Sequence, residues 1–146
     1  MNRLEVIQAS TKKLISECLE IRRKVFIEEQ GVPEEEELDD LDSSFFNVIG
    51  FLDLKPVATG RLMYITEKKM KIGRMAVLRN YRKLGYGTII LRFLETAALN
   101  LGAEIVSLNS QEYIKNFYIN SGYQTKGEIF IEAKIPHIEM FKKIKN

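Results

Sequence analysis

Three apolar, β-branched and aromatic runs follow one another in this chain, Phe45–Leu52, Val57–Tyr64 and Met70–Val77, and then give way to a helical pattern and a further strand run. That alternation leaves few folds open. Asp53-Leu54-Lys55-Pro56 between the first two runs predicts a hairpin, and therefore antiparallel pairing. From Thr88 to Leu101, Ile90, Leu94, Ala97, Ala98 and Leu101 share one helical face, and Gly102 supplies a left-handed cap. This helix separates the third run from a strand over Glu104–Asn109, so it is a crossover and not a hairpin. Hairpins and a helical crossover in one chain require a mixed sheet, which places the chain in the α/β class.

The remaining elements fill in around that sheet. Leu4–Ile7 predicts a short strand, and Ser10 or Thr11 can cap the helix after it, on which Leu14, Cys18, Ile21 and Val25 recur at three- and four-residue steps. Gly31 and Pro33 end that helix. Ser110 is expected to cap a short helix through Ser121 that carries Phe117 and Tyr118 on one face, with Gly122 after it. Tyr123–Ile131 and His137–Lys142 then predict two final strands around the Ile135-Pro136 step. With 146 residues, 45% of them hydrophobic, the whole span 1–146 is expected to form a single domain with a self-sufficient core.

Composition narrows the function classes. A single cysteine, Cys18, and a single histidine, His137, leave no disulfide framework and no Cys-rich or multi-histidine metal centre, so no metal is expected. No apolar run reaches about 18 residues and no signal peptide opens the chain, so neither a membrane span nor export is expected, and the location read from this is cytoplasmic. The net charge of +2 gives no reason to expect nucleic acid as a partner. Charge is nevertheless partitioned. From Glu28 to Asp42 there are acids and no base, and from Lys68 to Arg92 there are bases and no acid. Each run is compatible with a solvated surface, and equally with attraction of a ligand of opposite sign.

The most chemical stretch is Arg79-Asn80-Tyr81-Arg82-Lys83-Leu84-Gly85-Tyr86-Gly87-Thr88, between a strand and a strong helix. Its glycines let backbone N–H groups turn toward an anion, and the helix start adds about half a positive charge. The third glycine of a dinucleotide-binding fingerprint is missing, since position 90 is Ile, and no Gly-Lys-Ser/Thr of a P-loop is present. Gly-x-Gly by itself also suits a tight turn.

Together with Ile72-Gly73-Arg74-Met75-Ala76-Val77, the segment Arg82-Lys83-Leu84-Gly85-Tyr86-Gly87 resembles the pyrophosphate-binding motif of the GNAT superfamily of acyl-CoA-dependent N-acyltransferases. Asn116-Phe117-Tyr118-Ile119-Asn120-Ser121-Gly122-Tyr123 is similar to the superfamily's Phe-Tyr-x-x-x-Gly-Phe helix ending, with Tyr in place of the last Phe. Val25-Phe26-Ile27-Glu28-Glu29-Gln30, Glu37-Leu38-Asp39-Asp40-Leu41-Asp42, Thr59-Gly60-Arg61-Leu62 and Ile135-Pro136-His137-Ile138-Glu139-Met140 resemble its small bacterial single-domain branch.

The resemblance implies a mostly antiparallel mixed sheet of about six to seven strands flanked by about four helices, with the fourth and fifth strands splayed around acetyl-CoA. It implies cofactor binding by Met75, Ala76 and Val77 through their backbone, by Arg82, Lys83, Leu84, Gly85, Tyr86, Gly87 and Thr88 at the pyrophosphate, and by Gln111 at the pantetheine arm. Tyr118 matches the family tyrosine near the CoA sulfur and is expected to act as the acid, while Glu29 and His137 are the candidate bases. Glu28, Glu37 and Arg74 are expected on the substrate side. The activity implied is transfer of acetyl from acetyl-CoA to a primary amine of a small molecule, by direct attack in a ternary complex; the reading from another class is a non-catalytic acyl-CoA-sensing module. A homodimer is compatible with either. If the acids from Glu28 to Asp42, with Asp39 and Asp42 among them, border the acceptor mouth, cationic amines are favoured. A carboxylated or phosphorylated acceptor would instead fall to Arg61 and Arg74.

Overall fold

The computed structural model describes residues 3–37 and 45–145. Seven strands form one sheet, with β1 (Glu5–Gln8), β2 (Phe46–Leu52), β3 (Lys55–Thr66), β4 (Lys69–Val77), β5 (Ile105–Gln111), β6 (Gln124–Glu132) and β7 (Ile135–Lys143) in the spatial order β1-β2-β3-β4-β5-β7-β6. Every neighbouring pair is antiparallel except β4 and β5. Among the described residues four α-helices accompany the sheet: α1 (Lys12–Arg22), α2 (Glu34–Glu37), α3 (Tyr86–Asn100) and α4 (Lys115–Ile119). The mixed sheet and the two splayed strands are thus as expected.

The single parallel pair is also the shortest in proportion to its strands. β4 and β5 meet only at Lys69–Ile105, Met70–Val106 and Lys71–Ser107, after which they part. A second irregularity sits on the same strand. Thr59 pairs with Ala76 but Arg61 pairs with Gly73, so Arg74 and Met75 together face Gly60, and Arg74 is the bulged residue at φ 51°. Such a bulge breaks the ladder and re-aims the residues after it. Here the bulge sits on the part of β4 that no longer pairs with β5.

One core lies between the sheet and α3, built from residues such as Val57, Leu62, Ile72, Ile90, Leu94 and Val106. A smaller one lies under α1, where Cys18, Ile21 and Val25 meet Ile49 and Ala76. Cys18 is 1% exposed and its thiol approaches the Val48 carbonyl at 3.6 Å, which is packing and not a position for a nucleophile. Gly60 is fixed by α3: a Cβ there would lie 2.8 Å from Leu94 Cδ1.

Thr11, not Ser10, caps α1, accepting a hydrogen bond from the Leu14 amide at 3.1 Å. The helix then widens into a π-helical segment over Arg23–Glu29 before Gly31, in a left-handed conformation, ends it. The first hairpin turns on Asp53 and Leu54 alone, at φ 50° and 68°, so Lys55 and Pro56 already belong to β3. In the last hairpin the turn is Ala133-Lys134, and Ile135-Pro136 lies within β7. Ser110 does not cap a helix. It pairs with Ile138 inside β5, and its hydroxyl donates to the Gln111 carbonyl at 2.8 Å. Pairing with β7 extends β5 to Gln111, so the helix foreseen from Ser110 to Ser121 is reduced to a 3₁₀ turn, Glu112–Ile114, and the short α4.

Candidate active site

Where β4 and β5 separate, a cleft of about 1230 Å³ opens through the sheet. Its lining combines the bulged end of β4, the Arg82–Thr88 loop, Tyr118 of α4 and His137 of β7.

The loop is organised by its backbone. A 3₁₀ turn, Arg79–Tyr81, leads into Lys83 at φ 64° and Gly85 at φ 86°, and Gly85 is the N-cap of α3. Glycine has no side-chain oxygen to occupy the first N–H groups of the helix, and no side chain caps them. A 15-residue helix therefore presents uncapped donors and the positive end of its dipole at the cleft. Tyr86 and Gly87 lie in the first turn, two residues earlier than the sequence pattern places the helix start. Gly87 touches Phe117 in prospect only: a Cβ would sit 3.4 Å from its ring. This is a site suited to an anion such as a pyrophosphate.

Tyr118 is 8% exposed and stands edge-on to Phe117 and Tyr123, with ring centroids 4.9 and 5.8 Å away. Burial pushes its phenol up to about 12. The proton is therefore held across the whole range in which an enzyme works. Behind it, the Tyr123 hydroxyl donates to Glu95 Oε2 at 2.7 Å, and Lys142 donates to both Glu95 oxygens at 3.1 and 3.2 Å. Burial and the bond to Glu95 raise the Tyr123 phenol well above its ordinary value. This cluster ties α3, the residue preceding β6 and β7 into one unit around Tyr118.

His137 is 9% exposed, stacks on Phe130 at 6.0 Å, and pairs with Gln111 across the ladder. Its Nδ1 lies 2.6 Å from the Ile135 carbonyl. A carbonyl only accepts, so Nδ1 carries the hydrogen and the neutral ring keeps its lone pair on Nε2. Gln111 ends β5 and donates from Nε2 to Gln30 Oε1 at 2.8 Å, joining the end of the π-helical segment to the far side of the cleft.

The charged residues divide differently from the sequence pattern. Glu29 receives both arms of the Arg82 guanidinium, at 2.6 and 2.8 Å, while Arg82 Nε donates to the Val77 carbonyl at 2.9 Å. The bonds from Arg82 hold the Glu29 carboxyl below its usual range. Glu28 pairs with Arg23 at 3.3 Å, and both Glu28 and Glu29 line a smaller hollow of about 530 Å³ beside Arg79, not the main cleft. Glu37 is 3% exposed and anchored by Arg22 Nε at 2.7 Å and Arg74 Nε at 3.2 Å. Burial raises its pKa, against the opposing pull of Arg74, Arg22 and Arg61. Met75, Ala76, Val77, Lys83, Gly85, Tyr86, Gly87 and Thr88 line the main cleft, and Leu84 is exposed outside it. Asp39 and Asp42 lie outside the described residues.

Sequence reasoning passed over Lys71, Asn109, Glu132 and the space at Gly73, all in the cleft lining. Gly73 was visible as a glycine inside a strand pattern; the other three carry no local signal and converge only through the sheet.

Among the described residues no three His, Cys, Asp or Glu side chains cluster so as to hold a metal ion, and no helix is long and apolar enough to cross a membrane.

A family model, the Acetyltransferase (GNAT) domain, matches residues 15–144. The chain belongs to the GNAT acetyltransferase family. It is 34% identical over 140 residues to a protein of Bacillus subtilis named "Uncharacterized N-acetyltransferase YjcF", covering 95% of this chain and 99% of the relative. Among solved structures, an acyl-CoA N-acyltransferase from Pseudomonas aeruginosa superposes with a TM-score of 0.85 at 26% identity, covering 97% and 99% of the two chains. Escherichia coli ElaA superposes with a TM-score of 0.83 at 25% identity, covering 98% and 100%. This GNAT chain is accordingly an acyltransferase.

Proposed function

We propose that the chain transfers an acetyl group from acetyl-CoA to a primary amine of a small molecule by direct attack within a ternary complex. The observation that carries this reading is the convergence of three features on one cleft: the uncapped α3 N-terminus, the parted β4–β5 edge and the buried Tyr118. The residues fit acetyl-CoA, whose thioester supplies an activated acyl carbon. Backbone N–H groups of Gly85–Thr88 would hold the pyrophosphate, with Lys83 adding charge, and Met75–Val77 would present main-chain groups to the pantetheine arm.

Amide formation makes a C–N bond and breaks a C–S bond; the proton the nitrogen sheds after attack ends on the departing thiolate as CoA thiol, and before attack the ammonium must lose another. His137, with its lone pair on Nε2, accepts that proton. Glu29 is less suited to the task, because both its oxygens are held by Arg82 and its carboxyl is the weaker base for it. In this reading Glu29 and Arg82 fix the entrance to the loop. Tyr118, with a phenol at about 12, donates a hydrogen bond to the departing sulfur; outright proton transfer to a thiolate of reference pKa about 8.5 would cost roughly 5 kcal/mol, so the bond itself carries the effect. Cys18 is 1% exposed and absent from the cleft lining, which supports direct transfer over an acyl-cysteine. Initial rates with acetyl-CoA and an amine both varied should give intersecting double-reciprocal lines. Parallel lines would point to a covalent acyl-enzyme and overturn the ternary mechanism.

A further inference from the structure

Gly73 lies in the middle of β4 at a backbone conformation any residue can adopt, since its φ is not positive. A Cβ there would meet only Met63 Cε, at 3.6 Å, which is ordinary contact. Neither the turn of the chain nor the packing calls for glycine, and glycine weakens a strand interior. What its missing side chain provides is room, on the floor of the cleft, directly across the ladder from Arg61 and two residues beyond Lys71.

Lys71 is the last residue of β4 that pairs with β5, so it marks the closed end of the gap. It is half-buried, lines the cleft, and makes no ion pair or hydrogen bond among the described residues. Several cations near it are engaged: Lys69 with Glu139 at 3.9 Å, Arg74 with Glu37, Arg82 with Glu29, and Arg61 over the Phe45 ring at 4.7 Å. Two of the acids that would draw a cationic acceptor, Glu29 and Glu37, are held in those same contacts, and Glu28 is held by Arg23. Across the gap, Asn109 donates to Glu132 at 3.4 Å, so the opposite side of the cleft carries a carboxylate that suits an ammonium. Cation on β4, open floor at Gly73 and carboxylate from β6 together complement a molecule bearing both signs.

We infer that the acceptor is a small amine carrying an oxyanion, carboxylate or phosphate, that Lys71 receives this group, and that Gly73 keeps the seat open. The inference rests on the amine-acetylating reading above and reverses the cationic preference expected from the acidic run of the sequence.

The test uses amines of one chain length: an alkyl monoamine, a diamine, an ω-amino carboxylate and an ω-aminoalkyl phosphate. Each is measured for acetylation at saturating acetyl-CoA and for binding to the CoA-loaded protein by calorimetry. An anionic amine should exceed both others by about tenfold or more in kcat/KM, and the two anionic arms tell carboxylate from phosphate. Lys71→Met should raise the KM for the anionic acceptor about tenfold or more while leaving that for acetyl-CoA unmoved, with Lys71→Arg restoring it. Gly73→Leu should raise the acceptor KM without lowering Tm, and Gly73→Ala should do so to a smaller degree. A preference for the diamine, or equal binding of the anionic amine by the protein with and without Lys71, overturns the inference. Binding that depends on Lys71 without any acetylation would uphold the seat and overturn the reaction; acetylation indifferent to Lys71 would do the reverse.

Discussion

Tyr118→Phe keeps the edge-on contacts with Phe117 and Tyr123 and removes only a hydroxyl. It should lower turnover about 10²-fold while changing the KM for acetyl-CoA little, as measured by thiol release at saturating acceptor. Because burial raises this phenol to about 12, the wild-type profile should show no alkaline fall due to Tyr118 below that pH. A second expectation concerns Glu29. Its folded pKa is depressed, so the contribution of the Arg82 pair is present above the unfolded carboxylate value near 4.5 and disappears as pH falls through the lower folded value. Both side chains are about a third exposed, so a double-mutant cycle of Glu29→Gln and Arg82→Gln should give a coupling of about 1 kcal/mol or less at pH 7, vanishing in acid. Residues of this kind were partly legible in the sequence. Tyr118 and His137 stand out in the sequence, and both line the cleft. The pairing of Glu29 with Arg82 does not, because the two are 53 residues apart and only the fold sets one against the other.

At the level of elements, the proposed reading gives the start of α3 the task of holding an anion, and glycine is what leaves its first N–H groups uncapped. Gly87→Val should weaken acetyl-CoA binding about tenfold or more by crowding the first turn and Phe117, with Tm shifted by only a few degrees, as calorimetry and thermal melts would show. Unchanged affinity would remove the loop from the binding site. The Gly-x-Gly signal and the basic residues around it made this loop legible, although the pattern of apolar residues starts the helix at Thr88, two residues late, since a first turn packs little against the core. The segment after β5 was misjudged for a tertiary reason. Ser110 is a good capping residue, but ladder pairing with Ile138 competes for it and extends the strand. The π-helical stretch Arg23–Glu29 also left no mark on the apolar periodicity, which it carries on without a break in sequence.

Across the whole molecule, the mixed sheet followed from the alternation of hairpins and a crossover, whereas the parting of β4 and β5 came from family resemblance and from no local pattern. Three register pairs join the two strands, and no local sequence pattern marks Lys71 as the last of them. The acidic run illustrates the same limit. Composition shows Glu28, Glu29 and Glu37 as a surface of one sign, but the fold sets each against an arginine and leaves Lys71, at the closed end of the gap, without an ion pair among the described residues. The account as a whole stands on the cleft being a place of acyl transfer. Release of free CoA thiol from acetyl-CoA, followed with and without an ω-amino carboxylate, tests that most directly. The release should depend on the amine, yield a product heavier by one acetyl group, and fall about 10²-fold in Tyr118→Phe. Tight binding of acetyl-CoA with no amine-dependent release across carboxylated, phosphorylated, neutral and cationic amines would contradict it and mark the chain as a binder of the thioester without turnover.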